Sequence, residues 1–320
     1  MNERDLAEKN KILVVKTGSH MYGTNTPTSD EDFVGIFMPS EEYVYGFKRM
    51  DEVDFSVKDK DENGRNTKDA IDVKYYEFRK FVKLAMENNP NILEILFAPE
   101  SNIVFINDLG RELLNMAKVF PYQGCKQKFL GYAFAQKHKM FVKKDNYFDL
   151  LKAKEFLKSK DSPWSLWEVE KDMDKSVFKK QINKLSGKID FYQVGDINFM
   201  PSISIKNAIK MIEERLDKVG NREELYLKHA FDTKFAMHLV RLMIEGTMLL
   251  DKGFLEFPFS DYVKEFLMTI RNGEKSIDEV LTTATYYEEL IEKIESPLPE
   301  KPRYDEIEEF VIKTMKEFLK

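Results

Sequence analysis

The apolar pattern of this 320-residue chain changes period near residue 110, and that change limits the fold more than any other feature. Before it the signal is that of strands. Ile12 to Val15 is a short buried-strand run leading into Thr17-Gly18-Ser19, and Phe33 to Met38 is a second, ended by Pro39-Ser40. Val53, Phe55 and Val57 alternate with Asp54 and Ser56, and Ile71, Val73 and Tyr75 alternate with Asp72 and Lys74. With the polar stretch KDKDENGRNTKD between them, these two segments predict an antiparallel hairpin with a long tip. From Glu77 to about Asn89 the spacing becomes helical, with Phe78, Phe81, Val82, Ala85 and Met86 on one face, until Asn88-Asn89-Pro90-Asn91 stops it.

Beyond residue 110 the chain carries little strand signal. Helices are predicted over Leu113–Val119, Phe129–Val142, Asn146–Leu157, Ile203–Leu216, Arg222–Leu250, Ser260–Arg271, Ser276–Ile294 and Tyr304–Leu319. Ser296 to Pro302 is a rigid connector before the last of them, and no internal repeat interrupts the series. The expectation is an α/β domain of about 110 residues followed by a larger helical domain.

Fifty Lys and Arg against 56 Asp and Glu leave a net charge of −6, which argues against a histone-like coat for nucleic acid and leaves room for local basic grooves. Hydrophobic residues at 42%, with 25 Phe and 14 Tyr, suffice for a large core. The one cysteine, Cys125, excludes an intramolecular disulfide framework and a multi-cysteine zinc site, and reads as a small buried apolar residue. The N-terminus has acids where a signal peptide needs bases, and no apolar run reaches membrane-spanning length, so a cytoplasmic protein is expected. No segment fixes an oligomeric state.

The chemistry concentrates in KTGSHMYGTNTPTSDEDFVG, residues 16–35. A strand ends at Gly18-Ser19, where glycine lets the backbone approach an anion and Ser19 adds a hydroxyl donor. Asp30 and Asp32, two apart and running into the next strand, are expected to share one face and form an oxygen-ligand site for divalent cations. The plainer account is a Gly-Ser turn followed by an acidic surface loop. Asp72 stands mid-strand between Ile71 and Val73, where an acid is unfavourable unless something needs it. It is preferred over Asp54 as a third carboxylate because it leads directly into the Glu77 helix.

GSHMYG, then TPTSDEDFVG, then DVKYYEFRKF followed by NNPNILEILF, occur in an order and spacing that resembles the DNA polymerase β superfamily of nucleotidyltransferases. The match is to its bacterial and phage branch associated with RNA repair operons, and it covers residues 12–98. The resemblance implies an α+β fold: a nucleotidyltransferase domain with a mixed sheet over residues 1–110, then a helical substrate- and nucleotide-binding domain over 111–320. It implies that Gly18 and Ser19 contact the triphosphate and that Asp30, Asp32 and Asp72 hold two Mg2+ ions, with Mn2+ as the alternative. His20 stands where the family pattern has arginine, and is taken with Gly18 and Ser19 as a nucleotide contact. The implied reaction is transfer of NMP from an NTP, ATP among them, to an acceptor hydroxyl with release of pyrophosphate. The family name points to an RNA end as acceptor. A protein or small molecule modified in the manner of AMPylation is the alternative, and an inactive nucleotide-binding regulator is the rival from another class.

In the helical part, Lys234, His238 and Arg241 fall at i, i+4 and i+7, on one narrow face. That stripe is either a solvated face or a contact for a triphosphate or RNA backbone, and DTKFAMHLVRLMIEG also resembles the family's C-terminal region. Asp59, Asp61, Asn63 and Gly64 match the opening of an EF-hand loop, but Ala70 occupies the position of its bidentate Glu, so a solvated hairpin tip is expected. Lys137, Lys139, Lys143 and Lys144, with Tyr132, Phe134 and Phe141 interleaved, could form a stacking surface for single-stranded nucleic acid; helical core packing is the favoured account of the aromatics. Trp164 and Trp167 read as packing or interface residues, and His138 and His229 are too scattered for a zinc site.

Overall fold

The computed structural model describes residues 2–27, 29–57, 71–160, 164–217, 228–229 and 231–320. The described chain forms two compact units, one drawn from the described residues before 58, in 71–136 and in 236–320, and the other from the described residues within 137–235. The EF-hand-like tip, Asp59 to Ala70, lies outside the described residues.

The first unit is organised by a five-stranded sheet in the order β3-β4-β2-β1-β5. Its strands are β1 (Lys11–Lys16), β2 (Glu31–Phe37), β3 (Glu52–Asp54), β4 (Ile71–Glu77) and β5 (Ile103–Ile106). β2 and β4 run parallel, and the other neighbours are antiparallel, so the sheet is mixed. The expected hairpin is present as β3 and β4, with Val53 opposite Tyr75 and a further bridge from Val57 to Ile71. One face is covered by α1 (Glu3–Lys9), whose Leu6 and Ala7 pack with Val14, Phe37, Tyr43, Met50, Val53 and Tyr75. A Cβ on Gly35 would lie 2.3 Å from the Tyr75 ring, so this residue lets the aromatic lie flat across the central strand.

Short helices α2 (Ser19–Tyr22) and α3 (Glu41–Val44) follow β1 and β2. The helical spacing after Glu77 gives α4 (Phe78–Met86), which buries Phe78, Phe81, Val82 and Ala85. Its N-cap is Glu77, whose carboxylate accepts from the Lys80 amide at 3.0 Å. Asn89 caps α5 (Pro90–Leu96), with proline at the first helical position. After β5 come α6 (Asp108–Asn115) and α7 (Cys125–Lys158), the latter joining two segments read separately from the sequence. The C-terminal part of this unit contains most of α9 (Thr233–Lys252), then α10 (Asp261–Arg271), α11 (Ile277–Lys293) and α12 (Tyr304–Phe318). Phe78 of α4 meets Phe310 of α12 edge-on at 6.0 Å. Cys125 is buried and free, and burial pushes its thiol up to about 12.

The second unit corrects the expectation of an all-helical remainder. β6 (Lys179–Ile182), β7 (Ile189–Val194) and β8 (Ile197–Phe199) form an antiparallel three-stranded sheet. Only Tyr192, Val194 and Phe199 of it are fully buried, packed against Leu150, Ala153 and Leu157 of α7 and Ile205, Ala208 and Ile212 of α8 (Ile205–Asp217). Strands of three to six residues with so few core positions leave too short an alternation to stand out in the sequence. Among the described residues, no helix is long and apolar enough to cross a membrane.

Candidate active site

The site is built where β1 ends against the start of β2. The Thr17 amide donates to the Asp32 carbonyl at 2.8 Å, and the Thr17 hydroxyl donates to the same oxygen at 3.2 Å. Buried Asn102 donates its side-chain amide to the Lys16 carbonyl at 2.9 Å, fixing the strand end from the other side. At Gly18 the backbone turns with φ 65° and ψ −144°, a conformation open essentially to glycine alone. A Cβ there would lie 2.7 Å from Asp32 Oδ2. The Gly-Ser turn and the Asp32 carboxylate are therefore in direct apposition. Gly18→Ala is expected to cost about 1–3 kcal/mol in a thermal unfolding experiment, from the backbone strain before any clash is counted. Unchanged stability in that variant would mean the turn is not held as described.

Asp32 is half-buried on β2 and stands in register with Asp72 on the neighbouring parallel strand. Directly opposed residues project from one face of a sheet, so the two carboxylates share a face. Asp30, exposed, precedes β2, which begins at Glu31; it enters from the approach to the strand rather than from the strand itself. Asp54 is placed differently. It lies on edge strand β3 opposite Lys74, and its carboxylate accepts from the Ser56 amide at 2.8 Å. Register thus brings Asp72, and not Asp54, beside Asp32.

Glu31 pairs with Lys16 at 2.5 Å, and the hydrogen bond from that lysine lowers its carboxyl below the usual range. His20 is half-buried on α2, with Nε2 buried and without a hydrogen-bond partner among the described residues.

The donor set fits a hard divalent cation. Asp32 and Asp72 supply carboxylate oxygens side by side, and a small cation is commonly held by one or two carboxylates and completed by substrate phosphates. Among the described residues, no three His, Cys, Asp or Glu side chains are drawn together as a closed metal cage. The geometry is that of an open, two-carboxylate face.

The stripe on α9 is not uniform. Lys234 is exposed and belongs to the second unit, and His238 is half-buried. Arg241 is 5% exposed, and its Nη1 donates to Glu94 Oε1 at 2.5 Å and to Glu245 Oε1 at 2.8 Å. Its guanidinium also lies 4.3 Å from the centre of the Tyr22 ring, while the Tyr22 hydroxyl donates to Glu94 Oε2 at 2.5 Å. Tyr22 closes the short helix that starts at Gly18 and stacks against Phe259 at 5.9 Å. The cluster therefore clamps the back of the Gly-Ser turn. Burial raises the Glu245 carboxyl well above its ordinary range despite Arg241, and burial also raises Tyr22. Sequence reading passed over Glu94 and Glu245. Glu94 had left a signal: an acid inside the apolar run NILEILF, where only a partner makes burial tolerable.

Of the other sequence candidates, Phe134 is exposed rather than core, and Trp164 and Trp167 are exposed as well.

The mixed sheet thus carries a Gly-Ser turn against one of two in-register aspartates. Residues 4–160 match the model of the RNA repair pathway DNA polymerase beta family. An uncharacterized 38.9 kDa protein from the nrdC–mobD intergenic region of Enterobacteria phage T4 is 34% identical over 135 residues. That match takes in 41% of this chain and spans only 39% of the phage protein. A solved nucleotidyltransferase-like protein from Exiguobacterium sibiricum aligns over 98% of this chain and 77% of its own, at 8% identity and a TM-score of 0.26, too weak to define a shared architecture.

Proposed function

We propose that this protein is a metal-dependent nucleotidyltransferase that transfers NMP from an NTP to an acceptor hydroxyl, with an RNA end as the acceptor. The observation that carries the reading is the apposition of the Gly18 turn, Asp32 and Asp72 at one end of the sheet. The matched family supplies the reaction class and the relation to RNA repair. In this reading residues 1–110 hold the chemistry.

Gly18 lets the chain approach the triphosphate without a side chain, Ser19 offers a hydroxyl, and His20 lies on the same short helix. Asp30, Asp32 and Asp72 would hold Mg2+ or Mn2+, which when bound neutralises phosphate charge and stabilises attacking and leaving oxygens. The bond between the α-phosphorus and the bridging oxygen breaks, pyrophosphate leaves, and the acceptor oxygen forms the new bond. Asp72, the exposed member of the pair, would take the acceptor's proton. His238 is proposed to touch nucleotide or acceptor. Arg241 acts behind the turn through Glu94 and Tyr22.

The test is incubation with each α-labelled NTP, a divalent cation, and either total RNA or a protein lysate. Label in RNA, lost on removal of the metal, is the expected result. Label in protein would move the acceptor to another class, and no transfer from any NTP to either fraction would overturn the reading.

A further inference from the structure

Charge is unevenly divided along this chain. Residues 137–235 contain 21 Lys and Arg against 16 Asp and Glu, a net of +5, while the whole chain carries −6. An acidic protein with one basic compact unit has a local reason for that unit's charge, and a groove on the unit shows where it is directed.

The groove lies between the end of α7 and α8 and measures about 460 Å³, within the range of ligand sites. Leu157, Ile205 and Ile209 form an apolar floor, and Lys158, Lys206 and Lys210 line it. Two neighbouring cations are already engaged: Glu213 takes Lys158 at 3.0 Å, and Asp172 takes Lys160 at 2.6 Å. Lys206 makes no ion pair among the described residues, and Lys210 has only a distant, exposed Glu214 at 3.8 Å. They stand at i and i+4 on the exposed side of α8, about 6 Å apart along the helix.

Beside this basic row lies exposed apolar surface. The Ile205 amide donates to the Trp164 carbonyl at 2.9 Å, so Trp164 is seated at the very start of α8. The Trp167 amide donates to the Pro201 carbonyl at 3.0 Å, which ties that stretch of backbone to the approach to α8. Trp164 is 49% exposed and Trp167 59%, with Met200 beside Pro201 also exposed. A tryptophan left half in water costs hydrophobic free energy that a packed position would have gained. Two exposed lysines with at most one weak ion pair, and an exposed indole at the start of their helix, match one ligand chemistry: a phosphate chain bearing flat aromatic bases.

We propose that the α7–α8 groove of the second unit binds single-stranded RNA, with Lys206 and Lys210 on successive phosphates and Trp164 as a stacking platform. The proposal deepens the RNA-acceptor reading by giving the acceptor strand a docking surface. It is tested without metal or nucleotide, so the two can fail separately. An acidic peptide would use the lysines and ignore the indole; RNA uses both.

The experiment measures binding of the full chain to a labelled, unstructured RNA of about 12 nucleotides across a salt series, with inorganic polyphosphate as a base-free control. The wild type should bind with a clear salt dependence. In the variant carrying Lys206→Ala and Lys210→Ala, the slope of log affinity against log salt should become shallower by about 1.4, because each phosphate left without its lysine takes about 0.7 from it. Trp164→Ala should weaken RNA binding about five-fold or more, at an unchanged slope and with polyphosphate binding intact. All three substitutions are at exposed positions, and circular dichroism checks that the fold is retained. Absent RNA binding by the wild type, or either variant binding RNA as the wild type does, would overturn the proposal. So would equal affinity for polyphosphate and RNA, which makes the groove a charge sink.

Discussion

Asp32→Asn and Asp72→Asn are each expected to reduce NMP transfer by more than about 100-fold while leaving the thermal midpoint unchanged or slightly higher. Loss of an outer-shell partner of a metal ligand already costs 10- to about 100-fold, and these carboxylates are proposed as the ligands themselves. Stability should move the other way because the two acids face one another in register across β2 and β4. Like charges directly opposed in a sheet are destabilising, by roughly 0.2–1 kcal/mol, and a neutral amide relieves that. Asp54→Asn is the internal control. Its residue sits opposite Lys74 on the edge strand and accepts from Ser56, so transfer should persist with a small loss of stability. Rates for the three variants, measured side by side at saturating divalent cation, decide the matter: an inactive Asp54→Asn beside an active Asp72→Asn would reverse the assignment of the third acid.

What the sequence made legible follows from which interactions are local. Ile12–Val15 and Phe33–Met38 announced β1 and β2 because each is a continuous apolar run bounded by turn residues. The hairpin of β3 and β4 was readable because alternation on both sides of a polar tip is a pairing signal in itself. The parallel pairing of β2 with β4 was not, since nothing local specifies which distant strand lies alongside; yet that pairing is what sets Asp72 beside Asp32. β5 was missed because IVFI is only four residues long and none of its four side chains is fully buried. Gly18 could be singled out as a glycine near a strand end, but its closeness to the Asp32 carboxylate is tertiary information. The α9 stripe shows the limit of helical periodicity. Spacing placed Lys234, His238 and Arg241 on one face, and only packing shows that this face runs from solvent at Lys234 into the core at Arg241.

Arg241→Ala is expected to destabilise the protein by about 3–5 kcal/mol, a large part of the 5–15 kcal/mol that holds a typical domain together. The cost does not come from a strong net attraction. It comes from stranding Glu94 and Glu245, 3% and 0% exposed, without the one cation they share. Two carboxylates share one guanidinium, and burial raises the Glu245 carboxyl well above its ordinary range. Its folded pKa is raised, so the stability it contributes is fully present below the unfolded value of about 4.3 and is lost as pH rises through the folded one. Glu245→Gln should therefore flatten the pH dependence above that lower value and leave the protein at least as stable as the wild type near neutrality. Combined with Arg241→Ala, it should recover part of the loss, because one of the two stranded acids is then gone. Denaturant unfolding of the three variants between pH 4 and about 8 reads all of this directly. Because Tyr22 ties Glu94 to the helix that begins at Gly18, Arg241→Ala should also loosen the Gly-Ser turn, seen as faster amide exchange at Ser19 to Tyr22. An Arg241→Ala protein within about 1 kcal/mol of wild type, with those amides unchanged, would mean the guanidinium is a dispensable surface charge, and the clamp behind the active site would have to be abandoned.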